Sequence, residues 1–254
     1  MDNRICAQLF NIREFCKTPE GIDSSLGRLK EIGYKTIQVS GIGNVDPYMM
    51  KELSCKHGMD IMLTHMSCAR YENELENVIS DHHIMGTKIA GLGMMAECYR
   101  SMEGIKVFVE KYNKIAEKLS KEGLTFAYHN HSLEFYKEDG ISLMDYILKN
   151  TDPDKFKLVC DVYWVANAGL NPEKFIKDNA DRMAVIHFKD LKACPDNTTT
   201  MCEIGEGNLN WDEIIKASRQ SSAVCAAVEL DRSDKDQFDS FKISYDFLKT
   251  KGFC

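Results

Sequence analysis

The chain reads as an α/β protein, a (β/α)8 TIM-type barrel made by residues 1–254 as a single domain. Three observations predict this. Eight short apolar runs recur along the 254 residues. Amphipathic helix-like segments separate them. Most of the runs are apolar at consecutive positions, as strands are in a parallel sheet covered by helices on both faces.

The strand-like runs lie near 4–10, 35–40, 60–65, 87–91, 124–129, 156–161, 183–188 and 223–230. Between the first two, Thr18-Pro19-Glu20 opens a helix with a capping residue followed by proline at its first position. Gly33 and Gly58 close two early helices. The clearest helix is 101–121. Its Ile105, Phe108, Val109, Tyr112, Ile115, Ala116 and Leu119 recur three and four apart, and Glu122-Gly123 ends it. His82-His83 falls on another helix and reads as solvated. A doubly wound open sheet is the alternative. Against it, no GxGxxG follows the first strand and no GxxxxGK[ST] occurs; Gly41-Ile42-Gly43 is too short a match.

Composition narrows the function. Hydrophobic residues make up 44%, enough for a substantial core, and the net charge of −7 argues against a nucleic-acid or anionic-membrane binder. Met1-Asp2-Asn3-Arg4 lacks the start of a signal peptide, and no apolar run is long enough to span a membrane. Cys6, Cys160 and Cys225 sit inside strand-like runs and no CxxC occurs among the ten cysteines. Reduced thiols in a cytoplasmic protein are the expectation.

Barrel enzymes gather reacting groups at the C-terminal strand ends. Here those ends carry His65, then His129 and His131, Asp161, His187 with Lys189, and finally Glu229 and Asp231. Strand side chains alternate faces, so His129 and His131 point the same way. A carboxylate such as Asp161 or Glu229 at the end of a buried strand needs a cation or strong donors. The bland readings are an N-cap for Asp161, a hydrogen-bonded core residue for His187, and an ion pair with Lys189 for Glu229. Mixed imidazole and carboxylate donors suit one Mn, Zn, Fe or Co ion better than Ca or Mg. Trp164 either stacks on a substrate ring or packs a helix start. Gly205-Glu206-Gly207 forms a turn, with Glu206 at the mouth. Met94-Met95, after strand four, reads as an apolar wall.

Tyr128-His129-Asn130-His131 with Glu134-Phe135, Asp161-Val162-Tyr163-Trp164, His187-Phe188-Lys189-Asp190, Gly205-Glu206-Gly207 with Trp211, and Val228-Glu229-Leu230-Asp231 together resemble the sugar phosphate isomerase/epimerase family. This is the xylose isomerase-like TIM-barrel group, and the similarity spans almost the whole chain. The resemblance implies a divalent metal held by Glu, Asp, His and Glu from strands five to eight. Asp161, His187 and Glu229 match three of these. The first Glu is replaced by His129, so the fourth ligand is either His129 or Glu134, and Glu134 is the choice made here.

The resemblance further implies an isomerase, epimerase, lyase or dehydratase acting on a sugar, keto-sugar or cyclitol, by proton abstraction beside a metal-bound oxygen. Histidine in place of the first Glu argues against a symmetrical two-glutamate exchange and favours a keto-sugar lyase or dehydratase. His131 or His129 then transfers protons, with Glu229 as ligand and base. His65 and Lys189 bind substrate hydroxyls or a developing oxyanion, and Trp164 and Glu206 contact substrate. The alternatives are a sugar-binding barrel without catalysis and, disfavoured by charge, an abasic-site endonuclease. Relatives include homo-oligomers, but no stretch marks an interface.

Overall fold

The computed structural model describes residues 1–43 and 45–254. Eight parallel strands close into a barrel in chain order. They are β1 (Cys6–Gln8), β2 (Thr36–Val39), β3 (Asp60–Met66), β4 (Ile89–Leu92), β5 (Thr125–His129), β6 (Phe156–Asp161), β7 (Met183–Phe188) and β8 (Cys225–Val228). β8 pairs back onto β1, with Cys6 opposite Ala227, which completes the ring. β1 is shorter than its apolar run because the chain turns into a 3-10 segment at Leu9–Ile12, where the Gln8 side chain accepts from the Phe10 N–H.

Helices pack around the outside. Helix Pro19–Ile32 starts as predicted, the Thr18 hydroxyl accepting from the Gly21 N–H. Helix Met102–Lys121 buries the seven apolar residues of its stripe against the barrel. His82 corrects the expectation of a solvated pair. It lies on the inner face of helix Leu75–Met85 with Val78, Ile79 and Met85, fully buried. Its Nε2 meets Thr64 Oγ1 at 2.8 Å and its Nδ1 meets the Val78 carbonyl at 2.6 Å. Only His83 is exposed. Two small antiparallel hairpins, Lys137–Glu138 with Ile141–Ser142 and Asp190–Ala193 with Thr199–Cys202, interrupt the βα pattern. Among the described residues, no helix is long and apolar enough to cross a membrane.

Strand parity sorts side chains into two cores. Outward residues such as Phe126, Tyr128, Leu158, Cys160, Ile186 and Phe188 pack between barrel and helices. Inward residues form a separate plug inside the barrel, including Leu63, Ala127, Val159, Val185 and Ala227. Two residues beyond each of these stands a polar group: His65, His129, Asp161, His187 and Glu229. The same alternation that fills the barrel therefore lays a polar layer on top of its apolar plug.

Glycine makes room for one member of that layer. A Cβ on Gly91 would lie 2.2 Å from the Thr64 carbonyl oxygen and 2.7 Å from His65 Cδ2. Backbone cannot yield as a flexible side chain can. Gly91→Ala is expected to destabilise the fold by about 1–3 kcal/mol, measured by chemical denaturation. Unchanged stability would mean that β3 and β4 separate freely there.

Candidate active site

Among the described residues, one buried set of potential metal-binding groups converges: His129, Asp161, His187 and Glu229, with one donor atom of each within 4.8 Å of all the others. β5 to β8 each supply or directly precede one of them. The register sets Asp161 opposite His187 and His187 opposite Ala227, two residues before Glu229. Asn130 fixes the backbone at Asp161: its Oδ1 accepts from the Asp161 N–H at 3.0 Å and its Nδ2 donates to the Asp161 carbonyl at 3.3 Å. Asn11 does likewise beyond Glu229, accepting from the Leu230 N–H at 2.9 Å.

Both imidazoles are oriented by their far nitrogens. His129 Nδ1–H donates to the Gly93 carbonyl at 3.1 Å, which turns Nε2 towards the cluster. That Nε2 lies 3.4 Å from Asp161 Oδ2 and 3.5 Å from Glu229 Oε2, too far for a hydrogen bond in this geometry. His129 Nε2 and Asp161 Oδ2 are both buried without a hydrogen-bond partner. His187 Nε2 faces Gln38 Oε1 at 2.8 Å, and its Nδ1 faces Glu229 Oε2 at 2.6 Å. With Nε2 as donor, that last contact needs a proton on Nδ1 or a cation shared with the carboxylate. Buried polar atoms without partners are costly, and a far N–H held by a carbonyl is the usual support of a ligating histidine. The residues present therefore fit a divalent ion with two nitrogen and two oxygen donors.

The electrostatics agree. Burial opposes charge on His129, but Asp161 and Glu229 outweigh it and lift its pKa to about 10. Burial likewise penalises the Glu229 carboxylate, yet Lys189, His187 and His129 hold it well below the usual range. Positive charge is drawn to the centre of this cluster.

Asp161 is an N-cap and also faces the cluster. One oxygen, Oδ1, caps the following helix by accepting from the Trp164 N–H at 3.2 Å, and the other points into the cluster. Lys189 is buried, with Nζ 2.7 Å from Asp231 Oδ1, 3.6 Å from Asp161 Oδ2 and 3.8 Å from Glu229 Oε2. Its main partner is thus Asp231 rather than Glu229. The His65 ring stacks on His187 at 5.3 Å and lies 5.0 Å from His129. Burial and the neighbouring imidazoles push its pKa well down. His131 lies 4.7 Å from His129 and 5.4 Å from Trp164, ring to ring. Burial, then the charge of His129, lowers its pKa to about 2, and its Nδ1 is buried without a partner. Lys189 Nζ sits 5.1 Å from the Trp164 ring centre. His65, His131, Trp164, Lys189, Glu229 and Asp231 all border a cavity of 760 Å³ at the barrel mouth.

Two expected site residues stand elsewhere. Glu134 is fully buried, but its carboxylate accepts from the Tyr128 hydroxyl and, at 2.7 Å, from the His131 N–H. Tyr128 points out of the barrel, so Glu134 is engaged outside the converging set, whose fourth member is His129. Glu206 does not border the cavity; it pairs with Lys235 at 2.9 Å. Its two flanking glycines serve Asp190 instead. That carboxylate accepts from the N–H groups of Gly205 at 2.9 Å and Gly207 at 3.2 Å, and from Trp211 Nε1 at 2.7 Å. Three residues gain a role that the sequence did not assign: Gln38 behind His187, Gly93 behind His129 and Asp231 beside Lys189. Asp231 already stood among the strand-end groups; for the other two, a glutamine inside the apolar run of β2 was the one available signal.

Glu134 supports a stability prediction. Burial raises its pKa to about 7 from 4.5. The folded state then binds more protons than the unfolded one between these values, so stability falls as pH rises through that window. The loss is on the order of 3 kcal/mol. Glu134→Gln can still accept from the His131 N–H and can donate to Tyr128. Its denaturation free energy should be less pH-dependent than wild type between pH 4.5 and 7. Parallel curves would show that Glu134 ionises normally.

The barrel and its mixed imidazole–carboxylate cluster define a class of protein, and sequence comparison places the chain within it. The family model described as xylose isomerase-like TIM barrel matches residues 26–250, and the chain belongs to that family. An inosose dehydratase of Lacticaseibacillus casei is 24% identical over 202 residues, covering 67% of this chain and 63% of that enzyme. The chain thus spans less than two thirds of that relative's length. A sugar phosphate isomerase/epimerase structure from Parabacteroides distasonis superposes with a TM-score of 0.80 at 23% identity, covering 96% of each chain. A xylose isomerase-like barrel protein from Mycobacterium smegmatis, in complex with magnesium, gives a TM-score of 0.74 at 13% identity over 99% of this chain and 98% of that one.

Proposed function

We propose that the protein is a metal-dependent enzyme acting on a sugar, keto-sugar or cyclitol, and that it removes a proton beside a carbonyl with net elimination as the outcome. The observation that carries this reading is the set of His129, Asp161, His187 and Glu229, with two of its donor atoms buried and unpaired. These four residues would hold one divalent ion. When bound, the ion would polarise adjacent substrate oxygens and make negative charge on them less costly. Magnesium in the Mycobacterium smegmatis protein supports a metal in this fold.

The chain's own groups divide the remaining work unequally. His131, an imidazole bordering the cavity, is the residue we assign to proton transfer. Lys189, held charged by Asp231, Asp161 and Glu229, is placed to donate to a developing oxyanion. His65 offers a second neutral imidazole to a hydroxyl. An epimerase that reprotonates the opposite face benefits from two similar bases. Here an imidazole and an ammonium differ in kind, which suits proton removal by one and assistance to a leaving hydroxyl by the other. The dehydratase name of the Lacticaseibacillus casei relative agrees with this choice.

The test is a panel of inososes, keto-sugars and 3-keto-glycosides incubated with Mn2+-loaded protein. Loss of water or of the aglycone is expected, abolished by chelation and restored by Mn2+. Turnover untouched by chelation would contradict the metal. Solvent deuterium entering an unchanged carbon skeleton without elimination would favour epimerisation.

A further inference from the structure

We infer that the substrate carries a sizeable uncharged apolar group, as an aryl or alkyl glycoside does, and that this group lies across the cavity from the metal-binding quadrant. This rests on the function proposed above and narrows its substrate class. The cavity of 760 Å³ is two-sided. Its reactive groups come from the ends of β5 to β8 and from His65. The opposite wall is built by Phe10 after β1, Met66 at the end of β3, Met94, Met95 and Ala96 after β4, and Leu133 in the turn after β5. Among the described residues of that wall, Ser40, Ser67 and Ser132 offer hydroxyls. A bare polyol seated there would face apolar side chains and lose hydrogen bonds to water without replacement. Met94 is 43% exposed, an apolar cost for a free enzyme that a ligand would remove. Three methionines also make a wall that adapts to different shapes.

The wall also lacks what a phosphate needs. Lys189 is the one cationic side chain bordering the cavity among the described residues, and Asp231 holds it at 2.7 Å. Arg13 and Arg100 are not in the cavity lining. Arg13 donates to the carbonyls of Phe10 at 2.7 Å and Asp231 at 3.2 Å, and Arg100 donates to the Met95 carbonyl at 3.1 Å. Apart from Lys189, a phosphate dianion in the cavity would meet no lysine or arginine among the described residues.

The experiment is calorimetric titration of the Mn2+-loaded full chain with methyl β-glucoside, phenyl β-glucoside and glucose 6-phosphate. Phenyl β-glucoside should bind about tenfold or more tighter than the methyl compound. The double variant Met94→Ser, Leu133→Ser should lose most of that advantage, and Met94→Leu should keep it. Equal affinities for the two glucosides, tightest binding of glucose 6-phosphate, or no binding of any probe overturns the inference. Dehydration of inososes without a phenyl preference removes the apolar subsite and leaves the enzymatic reading standing. A phenyl preference without turnover on any keto-sugar does the reverse.

Discussion

Glu229→Gln is expected to remove metal-dependent turnover while the barrel stays folded. Glu229 Oε2 lies 2.6 Å from His187 Nδ1, 3.5 Å from His129 Nε2 and 3.8 Å from Lys189 Nζ. It carries half of the negative charge available to an ion in the cluster. A glutamine oxygen can still accept from His187, so local packing survives, but the charge does not. Metal affinity should fall by at least about 100-fold, above the 10–100-fold typical of losing a supporting residue. Turnover should fall by about 10³ or more, roughly 4 kcal/mol of barrier. Metal content after dialysis and rates at saturating Mn2+ measure the two effects. Retained metal with retained turnover would remove Glu229 from its role.

His129→Ala is expected to lose metal, and Glu134→Gln to keep it. His129 is the residue whose Nε2 lies buried and unpaired beside both carboxylates. Glu134 is spent on Tyr128 and the His131 N–H. Metal per chain should therefore drop well below one in His129→Ala and stay near wild type in Glu134→Gln. The reverse pattern would restore Glu134 as the ligand.

Much of this was legible because a barrel strand obeys a period of two. Leu63 with His65, Ala127 with His129, Val159 with Asp161 and Val185 with His187 each read as an inward apolar residue followed by an inward polar one. Once eight strands are recognised, the polar layer follows. The same rule, carried two residues further, places Lys189 and Asp231 at the mouth. It also favours His129 over Glu134, since the His129 side chain shares the inward face of Ala127. Glu134 lies beyond a turn, where parity no longer holds, and the Tyr128 hydroxyl captures it by a contact that spacing cannot reveal. Lys235 takes Glu206 in the same way, 29 residues away in sequence. Gln38 reaches His187 across 149 residues, a pairing that only barrel closure creates. His82 looked exposed as half of a polar pair, but its spacing from Val78 and Ile79 had already put it on the buried face.

One divalent ion held by two imidazoles, His129 and His187, and two carboxylates, Asp161 and Glu229, is the expected state of the loaded protein. Pulsed electron paramagnetic resonance of the Mn2+-loaded protein, with its histidines labelled with 15N, counts the imidazole nitrogens bound to the ion. Two are expected in the wild type and one in the fraction of His129→Ala that still binds Mn2+. A single coupled nitrogen in the wild type that persists unchanged in His129→Ala would contradict the account.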